Sequence, residues 1–218
     1  MTARTRPPQI LLTGFEPFGG DAVNPSWLVA QALHGEAIAG ARVQALCLPC
    51  VFGQALTVLQ SALHQHRPQV VLALGLAAVR NELSVERVAL NVNDARFADN
   101  AGAQPIDTPV DRNGPTAYFT SLPIKAMLLA LQGAGIAAEV SQTAGTFVCN
   151  HVFYGLMHAL ATQPRLKKTR GGFIHVPWLP EQGSPNLPLE VVVSALRLAI
   201  ATALQTQRDI SAGAGVIS

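Results

Sequence analysis

"QVVLALG", residues 69–75, is apolar from Val70 to Leu74, so a strand built from it has no face to give to water. A strand buried on both faces belongs in the middle of a parallel sheet covered by helices. Around this run, short apolar segments alternate with longer ones of helical period. "QILLTGF" (9–15) reads as a strand ending in a turn, and strands follow at 41–49, 84–92, 136–141 and 172–177. Helices are predicted over 24–35, 51–66, 121–133, 149–162 and 187–205. Asn24 serves as N-cap and Pro25 as first helical residue of the first helix, and Pro68 stops the second. The alternation predicts an α/β fold: a single-domain α/β/α open twisted sheet, mostly parallel, with helices on both faces. One domain spans 1–218, with flexible tails at 1–8 and 209–218. Ligands of such sheets bind at the carboxyl ends of the strands.

Hydrophobic residues make up 49% of the 218 and charged residues 13%, which supplies a sizeable core and argues against disorder. So little charge also leaves few residues to solvate a surface, and points to apolar surface buried between subunits. A net charge of +2 does not suggest nucleic acid, and the short "RLKKTR" (165–170) reads as a solvated loop end. "MTARTRPPQILLTGF" has no apolar stretch long enough for a signal peptide, and no segment approaches the roughly 20 residues that span a bilayer. Three cysteines do not make a disulfide framework, so the expected compartment is a reducing cytoplasm.

"TAGTFVCNHVFYG" (143–155) places Cys149 at the start of a predicted helix, where the dipole favours a thiolate. His151 is a poor base for it, because residues two apart on a helix point in nearly opposite directions. His151 and His158, seven apart, share a face and suit packing or surface contacts. His175, near the end of a short apolar strand, is the better placed imidazole. A thiolate–imidazolium pair needs a third group to orient the ring. Glu86, Asp94 and Asp99 all stand at a strand end or in the long polar segment 93–115, and position alone does not separate them. Segments of that length in compact domains tend to be functional.

Other constellations say less. "CLPC" (47–50) has the spacing of a thioredoxin-type pair but no tryptophan beside it. A zinc site needs more ligands than "CLPC" and "HQH" (64–66) supply, and these lie at opposite ends of a helix. "TGFEPFGG" (13–20) is glycine-rich but lacks the residues of a P-loop or a dinucleotide fingerprint; its phenylalanines suggest an apolar ring site.

Taken together, "LLTGFEPFGGDAVNPSW" (11–27), "ERVALNVNDARFADNAGAQP" (86–105), "TAYFTSLPIK" (116–125), "TAGTFVCNHVFYGLM" (143–157) and "RGGFIHVPWLPEQ" (170–182) resemble the pyroglutamyl peptidase I (pyrrolidone-carboxylate peptidase) family of cysteine peptidases, block by block and in order. The resemblance puts the family's nucleophile on Cys149, its histidine on His175 and its glutamate on Glu86. It puts the pocket's aromatic walls on Phe15, Phe18 and Phe147, with Asn24, Phe97 and Val148 at other positions near the pocket. It implies a cytoplasmic exopeptidase acting on peptides with an N-terminal pyroglutamate, no metal or other cofactor, and a homotetramer. The backbone N–H of Cys149 and the side chain of Arg96 are candidates to hold the oxyanion. One block departs: many family members carry Gly-Gln-Ala-Gly-Gly-Arg where this chain has "GLAAVR" (75–80). Leu76 replaces an amide expected in or near the lactam pocket, and Ala78 and Val79 replace glycines. Two alternatives follow: an acyl hydrolase with the same triad and another substrate, and a thiol redox or binding protein that uses Cys47 and Cys50.

Overall fold

The computed structural model of the chain describes residues 8–215. In chain order the elements are β1 (Gln9–Phe15), α1 (Pro25–Ala32), β2 (Ala37–Ile38), β3 (Ala41–Leu48), α2 (Gln54–His66), β4 (Val70–Leu76), β5 (Leu83–Glu86) and β6 (Val88–Leu90). Then come β7 (Ala117–Phe119), α3 (Ile124–Gly133), β8 (Ala138–Ser141), α4 (Val148–Thr162), β9 (Arg170–Val176) and α5 (Leu189–Gln205). The main sheet has seven strands in the order β2-β3-β1-β4-β9-β5-β8. β4 lies at its centre, buried from Val70 to Gly75, as its two apolar faces require.

Strand alternation divides the core in two. Ile10, Leu12, Val70, Leu72, Leu74, Ile174 and Val176 pack with α1, α3 and α5. Leu11, Phe15, Val71, Ala73 and Phe173 pack with α2 and α4 on the other face. Helices therefore cover both faces of an α/β/α sheet.

Local boundaries differ from the sequence reading where proline or a side-chain bond intervenes. Asn24 caps α1 through its side chain, which accepts from the Ser26 N–H, but the helix ends at Ala32. Pro123 and Pro188 occupy the positions before α3 and α5, so these helices begin later than hydropathy suggests. The predicted strand 84–92 is two strands in two sheets. At Arg87 the chain leaves the main sheet, because the Arg87 N–H donates to Ser141 while its carbonyl accepts from Thr120. β6 then pairs with β7, a short strand with no distinct sequence signal, in a separate antiparallel ribbon.

The sheet is mixed. β3, β1, β4 and β9 run parallel, whereas β5 pairs antiparallel with β9 and parallel with β8. Residues 209–215, expected within the tail, make contacts: both Asp209 carboxylate oxygens accept N–H groups at the start of α3, and the Ala214 carbonyl accepts from Arg87. Residues 1–7 and 216–218 of the expected tails lie outside the described residues. No helix among the described residues is long and apolar enough to cross a membrane.

Candidate active site

A cavity of about 850 Å³ opens where β1, β4 and β9 end and α4 begins. Its lining includes Phe15, Phe18, Leu76, Phe97, Phe147, Cys149, His175 and Trp178. Phe18, Phe97 and Phe147 form one aromatic wall, with ring centroids 5.0–5.5 Å apart. Just before Phe15, Gly14 lies so close to α1 that a Cβ there would run into the Ser26 carbonyl. That close approach lets the Phe15 N–H donate to Ser26 Oγ at 3.0 Å and fixes the exit of β1 into the cavity wall.

Two strand pairings bring the reactive side chains together. In the β4–β9 ladder Gly75 stands opposite His175. A Cβ on Gly75 would lie 2.7 Å from Cys149 Sγ, so the bare glycine makes room for the sulfur beside the imidazole. In the antiparallel β5–β9 ladder Ser84 stands opposite His175, which sets Glu86 on the same face and one diagonal step away. His175 Nδ1 meets Glu86 Oε1 at 2.7 Å. With Nδ1 committed to the carboxylate, Nε2 is the ring nitrogen left for a thiol and a substrate. Glu86 itself is fully buried and lines no part of the cavity.

Cys149 is the second residue of α4, and no side chain caps that helix. Its leading N–H groups are therefore open to an anion at the cavity. Burial nonetheless pushes the Cys149 thiol up, helped by the neighbouring Cys50 and by Glu86, with Arg80 opposing. The direction is opposite to that of a helix N-terminus acting alone. Burial favours the neutral thiol, and a base that takes its proton would yield the thiolate.

A sequence model of the family described as Pyroglutamyl peptidase matches residues 8–206. This chain belongs to that family. The pyrrolidone-carboxylate peptidase of Cupriavidus taiwanensis is 57% identical over 208 residues, covering 93% of this chain and 96% of that one. That of Escherichia fergusonii is 54% identical over 211 residues, covering 94% and 97%. The crystal structure of pyroglutamyl peptidase I from Bacillus amyloliquefaciens superposes with a TM-score of 0.92 at 44% identity, over 94% of this chain and 99% of that one.

Within this pyroglutamyl peptidase family member, the two residues after Cys149 anchor the helix. Asn150 Oδ1 accepts from the Leu90 N–H, and its amide donates to the Leu90 and Val92 carbonyls. His151 Nε2 accepts from the Gly53 N–H at 2.9 Å, so its proton is on Nδ1, which faces Asn93 Oδ1 at 2.9 Å. Burial holds this ring down at about 4, and protonating Nε2 would break the bond to Gly53. A depressed histidine contributes stability that is complete above its unfolded value near 6.5 and is lost as pH falls toward 4. The unfolded chain binds the extra proton in that window. The expected loss is about 3 kcal/mol between pH 7 and pH 4. Urea unfolding across that range checks it: His151→Asn is expected to be less stable at pH 7 with a shallower acid slope, and an equal slope would remove His151 as its source.

The remaining candidates separate cleanly. Asp99 is buried but occupied: Oδ1 accepts from Ala101 and Ala103, and Oδ2 from Phe52, which organises the long 93–115 segment. Asp94 is exposed. Of the three carboxylates considered, Glu86 alone bonds His175. Asn24 borders the cavity, but its side chain is spent on Ser26 and on the Glu16 carbonyl. Val148 is fully buried in the core beneath α4, and Arg96 is exposed outside the lining. Sequence reading did not single out Trp178, and it did not place Ala78 or Cys50 at the pocket; all three line the cavity.

Leu76 lines the cavity rather than the core alone. Cys50 packs in the α2/α4 core with Leu46 and Leu48, and strand alternation turns Cys47 to the other face. The two thiols of "CLPC" thus diverge, and all three cysteines are free. Burial and then Glu16 push Cys50 up to about 12, the reverse of an activated redox thiol. Among the described residues no group of three or more His, Cys, Asp or Glu side chains could hold a metal ion.

Proposed function

We propose that this chain removes an N-terminal pyroglutamyl residue from peptides, with Cys149 as nucleophile, His175 as general base and acid, and Glu86 as the group that orients the imidazole. One observation carries the reading: a cysteine at a helix start and an imidazole held by a buried carboxylate meet at an aromatic-walled cavity. Pyroglutamate is an uncharged five-membered lactam without a free amine. An aromatic wall of Phe18, Phe97 and Phe147 suits it, since it needs no counter-charge.

His175 Nε2 takes the Cys149 proton as sulfur attacks the pyroglutamyl carbonyl, and the Nδ1–H bond to Glu86 stabilises the imidazolium. The Cys149 N–H at the uncapped start of α4 supports the oxyanion. Arg96, exposed beside the lining residue Phe97, remains the second candidate donor. Collapse of the adduct breaks the peptide C–N bond while His175 returns its proton to the departing amine. Water, deprotonated by His175, then hydrolyses the thioester and restores the thiol. Release of arylamine from a pyroglutamyl-arylamide, abolished by a thiol alkylator, tests the reading; absence of turnover in folded protein would sink it.

Leu76 tunes this reaction. An amide in its place can hydrogen-bond a lactam, and a neutral hydrogen bond is worth about 0.5–1.5 kcal/mol. Leu76→Gln is therefore expected to lower KM about two- to tenfold with little change in kcat. An unchanged or higher KM at preserved Tm would show that Leu76 does not touch the lactam.

Assembly as a homotetramer in the cytoplasm belongs to the same proposal. Exposed Ile106, Phe119 and Leu129, in a chain with only 13% charged residues, support burial between copies, and the free cysteines suit a reducing compartment. Light scattering at micromolar concentration is expected to show an oligomer, and a monomer there contradicts the assembly.

A further inference from the structure

Arg80 stands outside the Cys149–His175–Glu86 set, yet its guanidinium reaches both halves of it. Nη1 donates to Glu86 Oε1 at 2.8 Å, the same oxygen that meets His175 Nδ1 at 2.7 Å. Nη2 donates to the Thr143 carbonyl at 3.3 Å, in the segment that leads from β8 into α4 and Cys149. Its approach to Glu139 Oε1 is longer, at 3.8 Å. One planar fork thus spans two acceptors on different parts of the chain, in a fixed geometry that the compact ammonium of lysine does not provide.

The carboxylate needs this partner. Glu86 is fully buried, and its other oxygen, Oε2, is buried without a hydrogen-bond partner. A buried charge in that position depends on a nearby opposite charge. While His175 is neutral, Arg80 is the cation that touches it. The Arg80 side chain is 25% exposed, so water reaches part of the guanidinium, but the oxygen it grips lies in the interior. Arg80 also acts on the Cys149 thiol against the direction of burial.

We propose that Arg80 is a positioning residue of the hydrolytic site: it holds the Glu86 carboxylate on His175 and ties that pair to the turn that delivers Cys149. The inference rests on the Cys149–His175 reading above. It differs from a surface ion pair, which contributes little and can be removed without consequence for a reaction. Its effect on the imidazole is transmitted through Glu86, so most of what Arg80 contributes to kcat is expected to vanish once that carboxylate is gone.

The test uses Arg80→Met and Arg80→Lys, each alone and with Glu86→Gln. Three measurements are made: kcat and KM on a pyroglutamyl-arylamide, the pH dependence of Cys149 alkylation by iodoacetamide, and Tm. Arg80→Met is expected to lower kcat about 10- to 100-fold, by analogy with the range for outer partners that orient metal-ligating side chains. KM is expected to stay within about threefold, and the alkylation midpoint to move to higher pH. Arg80→Lys keeps the charge but loses the fork, so it restores most of the alkylation midpoint and only part of kcat. In the Glu86→Gln background, Arg80→Met is expected to cost no more than about threefold further.

A kcat within about twofold of wild type, with superimposed alkylation profiles, overturns the proposal, and so does an undiminished loss in the Glu86→Gln background. Should Arg80→Met fail to fold, Arg80→Lys decides alone: a folded variant with wild-type kcat overturns it. Alkylation needs no substrate. If the wild-type chain does not cleave the arylamide, the substrate assignment falls, while the alkylation profiles still show whether Arg80 acts on the thiol–imidazole pair.

Discussion

Replacing Cys149 with serine is expected to leave a folded protein whose turnover on a pyroglutamyl-arylamide falls at least about a thousandfold. The substitution is nearly isosteric, and Sγ occupies a space cleared by Gly75, so packing is little disturbed. The chemistry changes instead. Burial already pushes the thiol up, and in the proposed mechanism transfer of its proton to His175 makes the sulfur nucleophilic. A hydroxyl in the same place is a far weaker acid, and the same imidazole cannot ionise it to a useful extent. Steady-state kinetics with a matched melting curve check this. A serine variant that keeps a tenth of wild-type turnover would show that another group attacks the carbonyl.

The second large effect is expected at Glu86. Glu86→Gln is predicted to lower kcat by about 10²- to 10⁴-fold with KM little changed, because it removes the charge that stabilises the imidazolium and fixes its tautomer. Glutamine can still present an oxygen to His175 Nδ1, but it can also turn its amide toward the ring and reverse the hydrogen bond. Arg80 loses its partner in this variant, yet it is partly exposed and lies 3.8 Å from Glu139, so it is not stranded. Asp94→Asn is the clean control, since Asp94 is exposed. Asp99→Asn is a control for folding only, because both Asp99 oxygens hold backbone N–H groups of the loop. A folded Asp94→Asn variant that loses more activity than Glu86→Gln would reassign the third residue.

These expectations draw on different parts of the molecule. Cys149 was legible because a glycine-broken turn followed by a helical period marks a helix start, and local sequence carries that signal. The central β4 was legible from its two apolar faces. His175 stood out as an imidazole near a strand end. The choice among Glu86, Asp94 and Asp99 was closed to the residues themselves and came only from the family resemblance. Geometry explains why: Glu86 reaches His175 because β5 enters the sheet antiparallel to β9, a non-local pairing with no signature in either strand. The same reversal means that β8 does not end where the parallel strands end. The carboxyl-end rule therefore does not place Cys149 by itself.

Misreadings have equally specific causes. Residues 84–92 carry one continuous strand-like pattern, and only the bonds of Arg87 to Ser141 and Thr120 split it between two sheets. Arg96 and Val148 are next to the lining residues Phe97 and Cys149 in sequence but are not themselves among the residues that line the cavity, since neighbours on a loop or a helix face different ways. Arg80 gave no signal as a site residue, because what marks it is a fork shared between Glu86 and Thr143, which are 6 and 63 positions away.

By itself the sequence determined the α/β class, the central strand, the start of the helix that carries Cys149 and the low charge of the chain. Each follows from periodicity, capping or composition, which are properties of neighbouring residues. Tertiary structure alone decided which carboxylate holds His175, which face each thiol of "CLPC" takes, and which side chains line one cavity. Those depend on strand order and on close approach at Gly14 and Gly75, where residues distant in the chain meet because the sheet has closed around them.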